Sequence, residues 1–163
     1  VILILVGFLV RTNRRFKRVA SENQKLLLAV EQSPVSIVIT DLNGRIEYAN
    51  HAFVEITGYQ LNEVIGKNPR ILQSGKVDQS LYEEMWSTLK KGEKWRGEMI
   101  NRRKNGQEYI ELCLINPVKL INGRITHYLG IKQDITERKK TEEQIKQFAI
   151  YDPLTGLPNR RKL

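Results

Sequence analysis

The sequence predicts an α+β domain built on a five-stranded antiparallel sheet, and three observations carry that expectation. Two apolar segments rich in β-branched residues bracket an Asn-Gly pair at residues 43 and 44. Short helical stretches fill the middle of the chain. Three further strand-like segments then follow in close succession, joined by short polar turns.

The first strand is VSIVITD, residues 35–41, which follows Pro34. Asn43-Gly44 then leads into RIEYA, so the two segments form a hairpin. NHAFVEITG comes next, with Asn50 at the N-cap position, Phe53 and Ile56 three apart, and Gly58 as the stop. A second short helix is expected over residues 61–65. In SLYEEMWSTLKKG, Ser80 and Glu83 make a capping-box pattern. Leu81, Tyr82, Met85, Trp86 and Leu89 form one apolar stripe there, the mark of a helix that faces a core.

KWRGEMINRR, QEYIELCLINPV and RITHYLGIKQD complete the sheet as a meander. The first two are joined by Lys104-Asn105-Gly106, which admits two registers. A two-residue Asn-Gly turn would pair Arg102 with Tyr109. A three-residue loop ending in a left-handed glycine bulge pairs Arg103 with Gln107. Because side chains alternate, only the three-residue loop puts Trp95, Gly97, Met99 and Asn101 on one face with Tyr109, Glu111, Cys113 and Ile115.

The flanks differ in composition from this middle. The formal charge is +9, but Arg11, Arg14, Arg15, Lys17 and Arg18 lie together behind VILILVGFLV. Ten residues span roughly 15 Å as a helix, half of a ~30 Å hydrocarbon core. That segment is therefore read as the end of a transmembrane helix, with its basic flank on the cytoplasmic side of the inner membrane. A buried helix is the other reading. Clustered flanking charge of this kind does not indicate a nucleic-acid partner. Residues 13–30 read as a helix, and TERKKTEEQIKQFA after Asp134 as a second, charged one. Ile135, Ile145, Phe148 and Ala149 give the latter a sparse seam suited to a two-stranded coiled coil. Cys113 is the only cysteine, so no disulfide framework is possible. His51 and His127 are expected on the surface or in structural roles, with no metal site.

Several motifs together identify a family. ITDLNGRIEYANHAF, ITGY, NRRKNG and GIKQDITERK, spread over residues 31–138, resemble the PAS sensor fold, with its short helices on one face of the sheet. YDPLTGLPNRR resembles the entry motif of GGDEF domains, which make cyclic di-GMP in their active members. GKNPRILQSG, residues 66–75, resembles the Gly-x-Asn-Cys-Arg-Phe-Leu-Gln loop of flavin-binding, blue-light PAS domains at Gly66, Asn68, Arg70, Leu72 and Gln73. Pro69 stands where that family carries its photoreactive cysteine. Trp86, Trp95 with Gly97, and NRRK resemble the flavin-containing PAS domain of the nitrogen-fixation redox regulator.

The resemblance implies FAD or FMN as cofactor, with Asn68 and Gln73 on the flavin tail, Arg70 on its phosphate and Asn101 on its ring. Trp95, Glu111 and Lys132 join that candidate set, and Asp134 and Thr136 are assigned to signal transmission. The pattern departs from the light-sensing family at Trp86, Glu111 and Lys132, where that family carries an arginine, an asparagine and a glutamine. A pocket filled by side chains, with Arg70 solvated, is the alternative. With the three-residue loop, Glu111 and Lys132 are expected to pair across the sheet.

The implied organisation runs from a transmembrane end (1–10) through a basic linker helix (11–30) and a PAS domain (31–135). A signalling helix (136–150) and the start of a GGDEF domain (151–163) follow. The expected function is sensory control of a diguanylate cyclase, as a homodimer joined through the flanking helices, with no catalytic residues in this stretch. The rival readings are a membrane histidine kinase sensor and a ligand-free dimerisation relay.

Overall fold

A computed structural model describes residues 2–150, so the GGDEF-like tail at 151–163 lies outside the described residues. The apolar start and the basic linker form one continuous helix, α1 (Ile2–Glu31). Among the described residues no helix is long and apolar enough to cross a membrane. The sheet is formed by β1 (Ser36–Thr40), β2 (Ile46–Ala49), β3 (Trp95–Arg102), β4 (Glu108–Lys119) and β5 (Ile125–Asp134). All four pairings are antiparallel, in the order β2-β1-β5-β4-β3. Between β2 and β3 lie α2 (His51–Thr57), α3 (Leu61–Val64), a 3-10 turn (Pro69–Leu72) and α4 (Gln79–Lys90). The charged helix α5 (Thr136–Ile150) leaves from the end of β5.

The hairpin loops share one design. Asp41 N donates to Arg45 O, Arg103 N to Gln107 O and Leu120 N to Arg124 O, at 2.9, 2.8 and 2.9 Å. Each loop therefore holds three residues, and each reads x-Asn-Gly: Leu42-Asn43-Gly44, Lys104-Asn105-Gly106 and Ile121-Asn122-Gly123. The closing glycine needs φ of +75°, +88° and +80°, a left-handed backbone that side chains disfavour. The second loop fixes the register Asn101↔Tyr109 and Met99↔Glu111, as the three-residue reading expects. Pro117 falls past the end of β3, where β4 has a ladder partner on one side only.

Asn50 does more than cap α2. Its Oδ1 accepts from Phe53 N at 3.3 Å and Ile37 N at 2.9 Å. Its Nδ2 donates to the carbonyls of Val30 and Val35, both at 3.0 Å. One fully buried amide thus ties together the end of α1, the start of β1 and α2. Glu31 reinforces the junction by accepting from Tyr48 OH and His51 N. One expectation fails at α4. Ser80 does not begin the helix, because Asp78 takes the N-cap place and its carboxylate accepts from Ser80 N at 2.8 Å. An aspartate two residues earlier outcompetes the serine for the same unsatisfied N–H groups.

Two apolar clusters form the core. Val38, Ile46, Ala49, Phe53, Val64 and Leu72 make the first. Met85, Leu89, Trp95, Met99, Cys113 and Tyr128 make the second. Most of the second cluster, with Val38 of the first, lines an open space that is the site.

Candidate functional site

The gap is a cavity of about 880 Å³ between α4, the 3-10 turn and the sheet. Its volume falls in the range of ligand pockets, about 300–1,000 Å³. The stripe on α4 supplies one wall through Tyr82, Met85, Trp86 and Leu89, while Val38, Met99 and Ile115 line the sheet side. Trp86 meets Tyr128 edge to face, with ring centroids 5.6 Å apart. Gly130 lies in the floor, and its missing side chain leaves that stretch of β5 flat.

The polar residues gather at two ends. Asn68, Arg70 and Gln73 line the cavity from the 3-10 turn, and Arg70 and Gln73 are exposed. Asn68 Oδ1 caps that turn, accepting from Arg70 N at 3.0 Å. A backbone bridge between Gln73 and Asn101 attaches the turn's end to β3. Asn101 and Lys132 line the buried end, at 4% and 7% exposure. Of the seven residues expected to hold a cofactor, the structure therefore brings five around one cavity.

Glu111 and Trp95 are the exceptions, and neither lines the cavity. Glu111 is buried behind the floor and is saturated by protein donors. Its Oε2 accepts from Lys132 Nζ at 2.9 Å, Asn101 Nδ2 at 2.9 Å and Cys113 Sγ at 3.1 Å. Its Oε1 accepts from Tyr109 OH at 3.4 Å. Glu111 thus positions the residues that face the cavity instead of facing it. The indole of Trp95 folds back along β3 onto Gly97, where an added Cβ would come within 2.4 Å of the ring. The Trp95 Nε1 has no hydrogen-bond partner among the described residues.

The Glu111–Lys132 pair expected from the register is present. It is diagonal, since Lys132 lies opposite Cys113 in the ladder and Glu111 opposite Asp134. Burial alone would push the Lys132 ammonium down, but the adjacent carboxylate outweighs it and holds the pKa above the ordinary lysine value. Burial pushes the Cys113 thiol up, and Glu111 adds to the effect, so this sulfur is a protonated donor. Because a carboxylate only accepts, the Asn101 amide must turn its NH₂ toward Glu111, which leaves Oδ1 as an acceptor at the cavity.

A line of polar contacts continues from this floor to α5. The Arg103 guanidinium stacks 4.5 Å above the Tyr109 ring and pairs with Asp134. Asp134 Oδ1 accepts from Thr136 N at 2.9 Å and Thr136 Oγ1 at 2.6 Å. Thr136 Oγ1 accepts in turn from Ile110 N at 2.8 Å. Burial raises the Asp134 pKa, but the hydrogen bonds from Thr136 and Arg103 prevail and the net direction is down. Arg103 is the member that sequence reasoning missed, and Tyr109 was placed on that face without a role. The signal was available, because the alternation that placed Asn101 and Glu111 on one face extends by two residues to both.

The histidines are surface residues. His51 lies 3.4 Å from Glu55, and His127 lies 3.1 Å from Glu47. Among the described residues no cluster could hold a metal ion.

Comparison with known proteins agrees with this architecture. The family model for PAS domains matches residues 34–137. A nitrogen fixation regulatory protein of Klebsiella oxytoca is 39% identical over 117 residues, covering 72% of this chain and 24% of that protein. The aerotaxis receptor of Escherichia coli is 37% identical, over 71% of this chain and 21% of the receptor. The solved structure of an RNA-binding light-oxygen-voltage receptor superposes with a TM-score of 0.71 at 32% identity, over 78% of this chain and 37% of that one. The light-oxygen-voltage domain of a blue-light activated histidine kinase from Erythrobacter litoralis gives 0.60 at 27%, over 64% and 99%. The chain spans about a quarter of the length of the curated relatives it matches. With its five-stranded sheet, capped short helices and matching family model, the chain belongs to the PAS family of sensory signal-transduction domains.

Proposed function

We propose that this chain is the sensing segment of a larger regulator, that its cavity takes a flavin, FAD or FMN, and that it responds to oxidation state. One observation carries the reading. At the buried end of the cavity Asn101 offers an acceptor and Lys132 a cationic donor, held side by side by Glu111. That edge complements an imide, in which an N–H is flanked by carbonyl oxygens, and the flavin ring carries such an edge. Relatives named as a nitrogen fixation regulator and an aerotaxis receptor support a regulatory role.

A bound flavin supplies reversible one- and two-electron chemistry. The chain's own residues would do the rest. Asn101 and Lys132 orient the ring, and Met85, Leu89, Met99 and Ile115 keep water from it. Asn68 and Gln73 contact the flavin's tail, and Arg70 reaches the phosphate through a fork that matches its geometry. Pro69 lines the cavity and offers no nucleophile, and the thiol of Cys113 is protonated and bonded to Glu111. Light-driven attachment of the ring to a cysteine is therefore not the signal.

The signal leaves along Glu111, Tyr109, Arg103 and Asp134 to Thr136 at the start of α5. In the whole protein α5 leads to a diguanylate cyclase, as the resemblance of residues 151–161 to a GGDEF entry motif supports. Two copies join through the flanking helices. Phe16, Val19, Asn23, Leu26 and Val30 alternate by three and four along α1, a coiled-coil seam, and Phe16 and Leu26 are 77% and 67% exposed. The apolar start of α1 anchors the dimer at the inner membrane.

Fluorescence titration tests the ligand. FAD or FMN added to the apo chain should be quenched saturably, and Asn101→Ala or Arg70→Ala should each weaken binding about tenfold, as befits loss of one good hydrogen bond. Absence of saturable quenching would refute the flavin reading.

A further inference from the structure

The loop that joins β4 to β5 differs in chemistry from the one between β3 and β4. Its first position holds Ile121, where the other holds Lys104, paired with Glu63 at 2.7 Å. Every residue from 118 to 124 is exposed, Val118, Leu120 and Ile121 among them. The tip is nonetheless held in one shape. Leu120 N donates to Arg124 O and Gly123 N to Leu120 O, both at 2.9 Å, and Asn122 Oδ1 accepts from Arg124 N at 3.1 Å. The loop between α4 and β3 packs beside it, since a Cβ added at Gly92 would come within 2.8 Å of Lys119 Nζ and 3.7 Å of Ile125 Cδ1. Residues 90–96 and 116–126 carry six cations, Lys90, Lys91, Lys94, Arg96, Lys119 and Arg124, against one carboxylate, Glu93. All are exposed, and none enters an ion pair among the described residues. Glu47, the carboxylate that reaches the base of this hairpin, lies 3.1 Å from His127.

We infer that this tip docks on an anionic phospholipid surface, with Leu120 and Ile121 entering the headgroup boundary and the surrounding cations resting on the phosphates. The inference is independent of the flavin reading. A helical or extended peptide partner is read by pockets or a groove, whereas this tip is a protrusion. A bilayer boundary accepts protruding apolar side chains and attracts the cations behind them. A nucleic-acid backbone would match the cations but leave the aliphatic tip in water. Pro117 removes a backbone N–H from β4 just before the tip, which blunts that edge against an added strand. The tip also lies at the end of the sheet remote from α1, because Ser36 pairs with Lys132 but Thr40 with Tyr128. Its contact with lipid is therefore separable from any that α1 makes.

A nitroxide attached at Ile121→Cys tests this on the full chain, since Cys113 is buried and protonated and does not compete for the label. With phosphatidylglycerol vesicles the label should become shielded from a water-soluble nickel chelate and more accessible to oxygen. A label at Gln107→Cys, in the loop at the opposite end of the sheet, should not change. Each of Lys91→Gln, Lys94→Gln and Lys119→Gln should raise the lipid concentration for half the effect about fivefold. An unchanged label at position 121 while the chain sediments with the vesicles would overturn the inference and leave anchoring through α1 standing. An equal response to phosphatidylcholine vesicles, or indifference to the lysine substitutions, would overturn it as well. A label shifted by soluble polyglutamate but not by vesicles would overturn it in favour of an acidic protein partner.

Discussion

Four donors converge on Glu111: the side chains of Asn101, Tyr109, Cys113 and Lys132. Removing one charge of such a buried pair leaves the other uncompensated, at a cost of roughly 3–5 kcal/mol, whereas an exposed pair contributes ~1 kcal/mol or less. Lys132→Met should therefore lower the unfolding free energy by an amount in the larger range, measured by urea denaturation. Lys132→Met combined with Glu111→Gln should recover part of the loss, because no lone charge remains buried. The pair also has a pH signature. The folded pKa of Lys132 is raised, so its contribution is complete below the unfolded value near 10.5 and is lost only as pH rises above it. Stability from this pair should be flat through neutrality and fall in alkali, and a fall between pH 6 and 9, measured by denaturation and absent in Lys132→Met, would contradict the assignment.

Among the elements, the strands and their register were legible in the sequence because turn chemistry and side-chain alternation are local. An x-Asn-Gly loop closing on a left-handed glycine decides which face every neighbouring residue takes, and the Glu111–Lys132 contact follows from it. Other features were not legible, because they depend on distant partners. Asn50 reads as an N-cap, yet three of its four hydrogen bonds go to α1, β1 and the segment between them. Trp95 reads as a cofactor-binding residue, but it turns onto Gly97 within its own strand. Ser80 reads as a helix start until Asp78 is seen to occupy that place. At the other end of the domain, Asp134→Ala removes the acceptor of the first turn of α5, a change of about 1 kcal/mol. That is comparable to the bias between two signalling states, so basal output of the whole protein should shift while the unfolding midpoint moves little. Unchanged output and unchanged response would argue against coupling through this carboxylate. Acid should act in the same direction, since the Asp134 pKa is lowered: its contribution is present above 3.8 and is lost as pH falls through the lower folded value.

For the whole molecule, the second apolar cluster and Val38 of the first surround room for a ligand, and the residues around that room set its chemistry. The polar line from Lys132 and Glu111 through Arg103 and Asp134 gives any change in that room a short route to α5. Glu111, Lys132 and Asp134 share the cavity face of the sheet, whereas α5 pairs through Lys139 with Glu98 on the opposite face, so the line carries a change from one face to the other. The visible absorption spectrum of the purified chain, recorded oxidised, after chemical reduction, and after blue illumination, tests this directly. Flavin bands that disappear on reduction, return in air, and survive illumination without a cysteinyl adduct are the expected result. A chain that shows no flavin bands even after reconstitution, or one that bleaches reversibly to an adduct spectrum in light, would contradict it.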